Sequence, residues 1–348
     1  MKSVAAHAPP RPQYAKRIGA LAIAALLLVA PITAGAAIMP GPLADLQMQL
    51  AAISLHAPGH VAMQIKDLSS GFSEGINAGA SMPAASTIKI PVMVEVFHQL
   101  QEGKFDFNSP VTLRRSDKDW GSGDLSDARV GSKYPVSQLL TAMITVSDNT
   151  ATNMLIRLVG REAINAEMID MGLQHTKLSD YIRSEGNGIR WALRSSAADM
   201  VMLLAQMAND QLIDEWSSRQ MISILSGQRH NSLIPEPLPG GVQIAHKTGT
   251  LHDTLNDVGI VYAASSPYVI AVMTTNLPSL GAGRRFIRGV SRLAYDNLIR
   301  FSDWREANGS QPVAPQNPVT APADGSSDTP MWGGTPNDPQ ASPSPTPR

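Results

Sequence analysis

Residues 242–273 read V-Q-I-A-H-K-T-G-T-L-H-D-T-L-N-D-V-G-I-V-Y-A-A-S-S-P-Y-V-I-A-V-M. Three short runs rich in apolar and β-branched residues occur in this stretch, at 242–246, 258–262 and 268–273. Their length and composition, with turn residues between them, predict three consecutive β-strands. A further strand is predicted at 59–67, where apolar and polar residues alternate before a turn that leads into another strand.

Apolar residues recur at helical spacing in the region between these strands. The predicted helices run from Ser86 to about Glu102, from Leu139 to Val159, from Ala197 to Met207 and from about Arg284 to Phe301. Because strands lie toward both ends and helices between them, the sheet must join segments that are distant in sequence. We predict an α/β (α+β) fold, with an antiparallel sheet flanked by helices and a mostly helical lobe.

The amino-terminal end has the composition of a targeting segment. Lys16-Arg17 precede an apolar run at 18–30, and small residues follow in Thr33-Ala34-Gly35-Ala36. This order is typical of a secretory signal peptide, which we assign to residues 1–36; an uncleaved membrane anchor is the alternative. Both interpretations place the rest of the chain outside the cytoplasm, as a periplasmic or secreted protein.

Composition separates the remaining chain into a globular domain and a tail. Residues 37–304 have an ordinary globular pattern, whereas 305–348 are rich in Pro, Ser and Gly and are predicted to be disordered. A formal net charge of -1 gives no field that would gather nucleic acid. Without cysteine, the chain has no thiol nucleophile, disulfide or thiolate metal site. His246 and His252 lack the spacing of a zinc site, so we expect no metal. We also expect that the protein has no cofactor and is a monomer.

Ser86-Thr87-Ile88-Lys89 marks the start of the first predicted helix. Residues at positions i and i+3 face the same side of a helical turn, so the Lys89 amine can lie near the Ser86 hydroxyl. The helix amino terminus favours developing negative charge, and an amine with a lowered pKa can accept the hydroxyl proton. The pattern predicts a serine nucleophile served by a lysine, and a plain helix cap is the alternative.

Two further polar groups interrupt apolar segments. Ser147-Asp148-Asn149 breaks the helical pattern of 139–159, which indicates a functional group of residues. The alternatives are a solvent-facing turn and a new helix start that Asp148 or Asn149 caps. Lys247-Thr248-Gly249-Thr250 ends an apolar strand, where Gly249 would let a substrate approach the backbone and Lys247 would supply positive charge. A solvated turn is the alternative for the second group.

Together and in this order, S-x-x-K, S-D-N and K-T-G are the motif set of class A β-lactamases and penicillin-binding proteins. The sequences S-T-I-K, S-D-N-T-A-T-N and H-K-T-G-T-L-H-D-T-L-N-D-V-G-I-V-Y resemble the class A β-lactamase family, over about residues 42–303. The resemblance implies a fold of the β-lactamase and DD-peptidase type. It also implies that Ser86 is the acylated nucleophile, Lys89 its proton partner and Ser147 the proton relay to the departing nitrogen.

The resemblance also implies binding roles. Lys247 and Thr248 would anchor the substrate carboxylate, and Asn149 would bind its acylamino side chain. The N–H groups of Ser86 and Thr250 would form an oxyanion hole beside Gly249. Trp120 falls where such enzymes place an aromatic residue at the rim of the site.

One departure concerns the second half of the reaction. Class A enzymes release the acyl group with water activated by a Glu in the sequence E-x-x-L-N, whereas residues 178–187 read L-S-D-Y-I-R-S-E-G-N. Counting from the following segment places Asp180 at that position, counting from the preceding one places Ile182 there, and Glu185 is the nearest Glu. Asp180, Glu185 or neither is therefore predicted to be the base.

These observations lead to one function and two alternatives. The leading prediction is hydrolysis of the β-lactam amide through acyl-Ser86, in antibiotic catabolism and resistance. A D-alanyl-D-alanine peptidase acting on cell-wall peptides uses the same chemistry. A slow-turnover penicillin-binding or sensor domain would be acylated without rapid release.

Overall fold

The computed structural model describes residues 39–184 and 189–309. The predicted signal peptide and the chain beyond residue 309 lie outside the described residues. The helices are α1 Gly41–Leu55, α2 Lys89–Gln101, α3 Val136–Thr145, α4 Asn149–Val159, α5 Arg161–Asp170, α6 Ile189–Ala192, α7 Ala197–Ala208, α8 Glu215–Ser226 and α9 Leu280–Ala307. Within the described ranges, the helices are too short or too polar to cross a membrane.

The strands form three sheets. They are β1 His60–Asp67, β2 Ser73–Ile76, β3 Met82–Pro83, β4 Pro110–Thr112, β5 Lys133–Pro135, β6 Lys177–Leu178, β7 Leu193–Ser195, β8 Gln243–Leu251, β9 Thr254–Tyr262 and β10 Tyr268–Thr275. The main sheet has the order β2-β1-β10-β9-β8, and every neighbouring pair is antiparallel. The β3-β7-β6 and β4-β5 sheets are small and also antiparallel.

The main sheet is buried on both faces because its side chains alternate between two apolar cores. On β10, Ile270 and Val272 face the layer formed by α1 and α9, together with Leu46 and Leu298. Val269 and its alternate neighbours face α7 and the helical lobe instead. The strand joins amino-terminal β1 to carboxy-terminal β9, as expected for a sheet made of distant segments.

Two predicted boundaries differ from the structure. The helix predicted at 139–159 is two helices, α3 and α4, and Ser147 between them has a φ of 59°. The Asp148 side chain caps α4 by accepting a hydrogen bond of 2.7 Å from the Ala151 N–H, so a new helix starts directly after Ser147. The last helix is also longer than predicted, since α9 spans Leu280–Ala307 whereas the sequence predicts a helix from about Arg284 to Phe301.

Candidate active site

Ser86 lies in a strained turn between β3 and α2. The chain forms a 3₁₀ turn at Ala85–Ile88 before α2 begins at Lys89, and Ala85 has a φ of 48°. The Asn256 side chain on β9 holds this turn by donating to the carbonyls of Pro83 and Ala84 at 2.8 and 3.1 Å. An unfavourable backbone conformation persists only where its surroundings hold it, and such strain clusters at functional sites.

The edge strand β8 passes close to this turn because Gly249 has no side chain. A Cβ atom at Gly249 would lie 2.9 Å from the Ala84 carbonyl oxygen and 3.1 Å from the Ser86 nitrogen. The sequence predicts that the missing side chain of Gly249 lets a substrate approach the backbone. In the structure, it is the turn carrying Ser86 that lies close to Gly249. The next residue, Thr250, is exposed and lines the same cleft as Ser86.

Two fully buried lysines converge on Ser147. Lys89 Nζ donates to the Ser147 carbonyl at 2.6 Å, to Ser147 Oγ at 3.0 Å and to Asn149 Oδ1 at 2.7 Å. Lys247 Nζ donates to the same Ser147 Oγ at 3.0 Å and to the Thr248 carbonyl at 3.0 Å. The structure thus brings together Lys89, Ser147, Asn149 and Lys247, as the motifs predict.

The hydroxyl of Ser147 has a defined role in this geometry. A hydroxyl has one proton to donate and two lone pairs that accept. With Lys89 and Lys247 as donors, both lone pairs are taken, and the hydroxyl proton is free to point toward another group. Since Ser147 lines the cleft, that group can be a nitrogen atom of a bound substrate.

Burial makes these lysines unusually acidic. Desolvation is the main cause that lowers the pKa of Lys89 far below its ordinary value, and the charge of Lys247 lowers it further. Desolvation also lowers the pKa of Lys247 to about 7, against an opposing contribution from Asp257. A lowered pKa makes loss of a proton from a lysine easier, and the neutral amine that results is the form that can accept a proton from a hydroxyl group.

Asn149 connects the lysines to Asp119. Its amide Nδ2 donates to Asp119 Oδ1 at 2.7 Å, while Asp119 Oδ2 accepts from the backbone N–H of Ser184 at 2.7 Å. These hydrogen bonds keep the pKa of the Asp119 carboxyl low in spite of its burial. Asp119 was missed in the sequence, although it directly precedes the Trp120 loop; Trp120 is 69% exposed, and Gly121 lines the cleft.

The loop after β6 places an apolar residue in the cleft. Ile182 is 5% exposed and lines the cleft with Ser86. The buried side chain of Asn153 holds it, accepting from the Ile182 N–H at 2.8 Å and donating to the Ile182 carbonyl at 3.1 Å. Asn153 lies four residues after Asn149 on the same helix, and this spacing was a signal that sequence reasoning left unused.

The candidate bases differ in position. Asp180 is exposed, accepts a hydrogen bond of 2.7 Å from the adjacent Tyr181 N–H and does not line the cleft. Glu185 lies outside the described residues. No Asp or Glu occurs among the cleft-lining residues in the described part of the chain. Of the two counts along the sequence, the one that places Ile182 at the loop position agrees with the geometry.

A buried pair of side chains, His246 and Asp257, lies on β8 and β9 next to Lys247. His246 Nδ1 lies 2.9 Å from Asp257 Oδ1, and His246 Nε2 lies 2.9 Å from Asn231 Oδ1. The other Asp257 oxygen accepts from the Ile234 N–H at 2.9 Å. His246 therefore orients β8 and β9 beside the lysine.

The structure also groups three possible metal donors outside the cleft. Glu95, His98 and Glu167 lie on α2 and α5, with their donor atoms within 4.8 Å of one another. His98 Nδ1 is 2.8 Å from Glu167 Oε2, which ties the two helices together. None of the three lines the cleft beside Ser86.

A serine and two buried lysines around a second serine, beside an antiparallel sheet, define a site of the penicillin-recognising kind. A family model described as "Beta-lactamase enzyme family" matches residues 45–298, and the chain belongs to this family. Members of the family are serine hydrolases that act on β-lactams without metals. The predicted family resemblance and fold are confirmed.

Individual relatives agree with this assignment. The extended-spectrum β-lactamase PER-1 of Pseudomonas aeruginosa is 27% identical over 249 residues, which cover 63% of this chain and 76% of PER-1. A β-lactamase of Sphaerobacter thermophilus is 29% identical with a TM-score of 0.67, covering 72% of this chain and 95% of that one. PBP-A is 29% identical with a TM-score of 0.70, covering 74% of this chain and 97% of PBP-A.

Proposed function

We propose that this chain is an exported serine β-lactam hydrolase that opens the β-lactam amide on Ser86 and releases the product slowly. The observation that carries the first half is the buried chain of hydrogen bonds from Lys89 through Ser147 to Lys247, beside the Ser86 turn. The basic, apolar and small-residue order at the amino terminus supports export.

Acylation follows from the positions of these groups. Ser86 Oγ attacks the carbonyl carbon and forms the ester as the lactam C–N bond breaks. Lys89, in its neutral form, takes the hydroxyl proton. Ser147 gives its own proton to the departing nitrogen and is reprotonated by Lys89, which balances the step.

Charge stabilisation comes from the β8 side of the cleft. The close approach at Gly249 allows the N–H groups of Ser86 and Thr250 to face the developing oxyanion. Thr248 lines the cleft beside Lys247, where its hydroxyl can donate to the substrate carboxylate. Asn149 adds a polar side chain at the opposite wall.

Release of the acyl group is the slow half because of Ile182. A hydrolytic water needs a base within hydrogen-bonding reach, and Ile182 supplies none at the wall where a carboxylate is required. The opened β-lactam retains its amine in the same molecule, and this tethered group also obstructs approach of water. Slow hydrolysis is therefore the outcome that the described residues favour.

The same observation supports a second candidate, a D-alanyl-D-alanine peptidase. Cleavage of a peptide releases the terminal amino acid, which diffuses away and leaves room for water beside Lys89 and Ser147. A peptide acyl-enzyme therefore depends less on a separate loop carboxylate than a penicilloyl-enzyme does. The similarity to PBP-A, which has also been solved as a variant in an acyl-enzyme complex with penicillin G, accords with this reading.

Intact-mass measurement separates these functions. The purified protein and a Ser86→Ala variant are incubated with benzylpenicillin and followed over time. We expect an adduct on the unsubstituted protein alone, decaying over minutes or longer while penicilloate accumulates. An adduct on Ser86→Ala, or none on either protein, would overturn the proposal; release of D-alanine from an acyl-D-Ala-D-Ala peptide would support the second candidate.

A further inference from the structure

The cleft beside Ser86 is lined by more basic than acidic side chains among the described residues. It has a volume of about 480 Å³, and its described lining contains two arginines and two histidines without any carboxylate. These residues are Arg183, Arg284, His230 and His252. The two arginines give this lining a positive charge, and low-dielectric walls lined by one sign of charge focus the field and attract anions.

The two arginines come from different walls. Arg183 follows Ile182 in the loop after β6, whereas Arg284 lies in the first turns of α9, on the sheet side. Both side chains are exposed, and neither has an ion pair with a carboxylate among the described residues. An arginine that has no carboxylate partner among the described residues is available to an anionic ligand in the cleft.

The Arg183 guanidinium is positioned by its neighbour. Its central carbon lies 5.7 Å from the centroid of the Tyr181 ring, which is within the range of a cation–π interaction. The ring holds the group near the loop and reduces the conformational freedom that binding would otherwise have to remove. Arg183 is thus a partly ordered cation.

Ser184, which follows Arg183 in the loop after β6, lies against the wall of the cleft that carries Asn149. A Cβ atom at Gly121 would lie 2.4 Å from Ser184 Cβ and 3.1 Å from Asn149 Nδ2, so these three residues are contiguous. The carboxylate of Asp119 is hydrogen-bonded to groups other than Arg183. Its two oxygens accept four hydrogen bonds, from Gly121 N–H, Asn149 Nδ2, Ser184 N–H and Ser184 Oγ.

We propose that Arg183 selects acyl donors that carry a second carboxylate on the acyl side chain. The inference rests on the proposed acylation of Ser86, in which Asn149 faces that side chain while Thr248 faces the carboxylate beside the scissile bond. The preferred substrate is then a dianion, with one carboxylate at each end of the cleft. Its chemical class is a penicillin with a carboxylated side chain, or a peptide with an acidic residue in the acyl portion.

Two penicillins that differ by one carboxylate test this directly. Second-order acylation rate constants are measured for α-carboxybenzylpenicillin and benzylpenicillin on the full protein, and their ratio is compared between variants. We expect Arg183→Gln to lower the ratio about fivefold, the size expected for loss of one partly exposed ion pair. Arg183→Lys should keep most of the ratio, because the charge remains, and added salt should reduce it.

The exposed Arg129, which lies outside the cleft, provides a control of equal charge. Arg129→Gln should leave the ratio unchanged. An unchanged ratio in Arg183→Gln, or an equal fall in Arg129→Gln, would overturn the proposal. Absence of any benzylpenicillin adduct on the unsubstituted protein would instead overturn the proposed function, so the two failures are distinguishable.

Discussion

The two walls of the cleft differ in how their polar groups are satisfied. On one wall, Lys89, Ser147 and Lys247 are buried and joined by hydrogen bonds of 3.0 Å. On the other wall, the loop after β6 presents Ile182, whose backbone is held by Asn153 while its side chain offers no polar atom. The first wall carries groups that can transfer protons, whereas Ile182 on the second wall carries none.

In the proposed reaction, acylation and deacylation would therefore depend on separate elements of one fold. The proton-transfer wall joins α2, the α3–α4 break and β8, which the core holds together. The loop wall is a connection between β6 and α6, and connections tolerate change more readily than core elements do. The loop can therefore alter the second half of the reaction and leave the first intact.

The largest effect should come from removing the proton acceptor. Lys89→Met keeps the length of the side chain but not its amine, and we expect acylation by benzylpenicillin to slow by about 10³-fold, within the range for a general base. The exposed Lys133 provides the control, and Lys133→Met should react at the original rate. Stopped-flow or intact-mass kinetics measure both. Equal rates in Lys89→Met and the unsubstituted protein would contradict the role of this wall.

A smaller and opposite effect is expected on the loop wall. Ile182→Glu places a carboxylate where the described lining of the cleft has none, and we expect the penicilloyl adduct to decay about 10²-fold faster. Ile182→Gln is the matched control, because it has a similar shape without a base. Adduct lifetime after removal of free penicillin is the measurement. Equal lifetimes in the Glu and Gln variants would show that Ile182 does not limit release.

Much of the proton-transfer wall could be predicted because its chemistry requires particular residue types at short spacings. Ser86 and Lys89 are three residues apart, so the start of one helix is enough to bring both to the site. The three motifs likewise predicted that Ser147 and Lys247 share a site, and they meet at 3.0 Å. The strands of the main sheet followed from their apolar, β-branched runs.

The loop wall could not be predicted as well, since its geometry depends on long-range contacts. Two counts along the sequence disagreed between Asp180 and Ile182. The hydrogen bonds from Asn153 on α4 hold Ile182 at the cleft, while Asp180 is exposed and does not line it. The break at Ser147 has a related cause. Helical periodicity continues across it, and the positive φ and the Asp148 cap that end the helix leave little mark on the apolar pattern.

The smallest expected effect is on the stability of the fold. The stability should depend on pH through Lys247, which lies on the proton-transfer wall. Burial lowers the pKa of Lys247 from 10.5 to about 7, so the folded state resists protonation of this amine. Below pH 7 the folded and unfolded states both carry the proton, and the full cost of the buried charge is present. Between about pH 7 and 10.5 the unfolded state binds more protons, so this cost disappears as the pH rises.

Lys247→Met removes the amine and therefore its pH-dependent contribution to stability. It also removes contacts such as the hydrogen bond to the Thr248 carbonyl, whose loss does not follow the same pH dependence. The Tm of the variant relative to the original protein should therefore be highest near pH 6.5 and fall as the pH rises to about 10, by roughly 2–4 °C for each kcal/mol of the cost that disappears. Lys133→Met should show no such trend. If the difference in Tm between the variant and the original protein did not change with pH, burial would not lower the pKa of Lys247. The proton-transfer wall would then lack the buried amine of lowered pKa that distinguishes it from the loop wall.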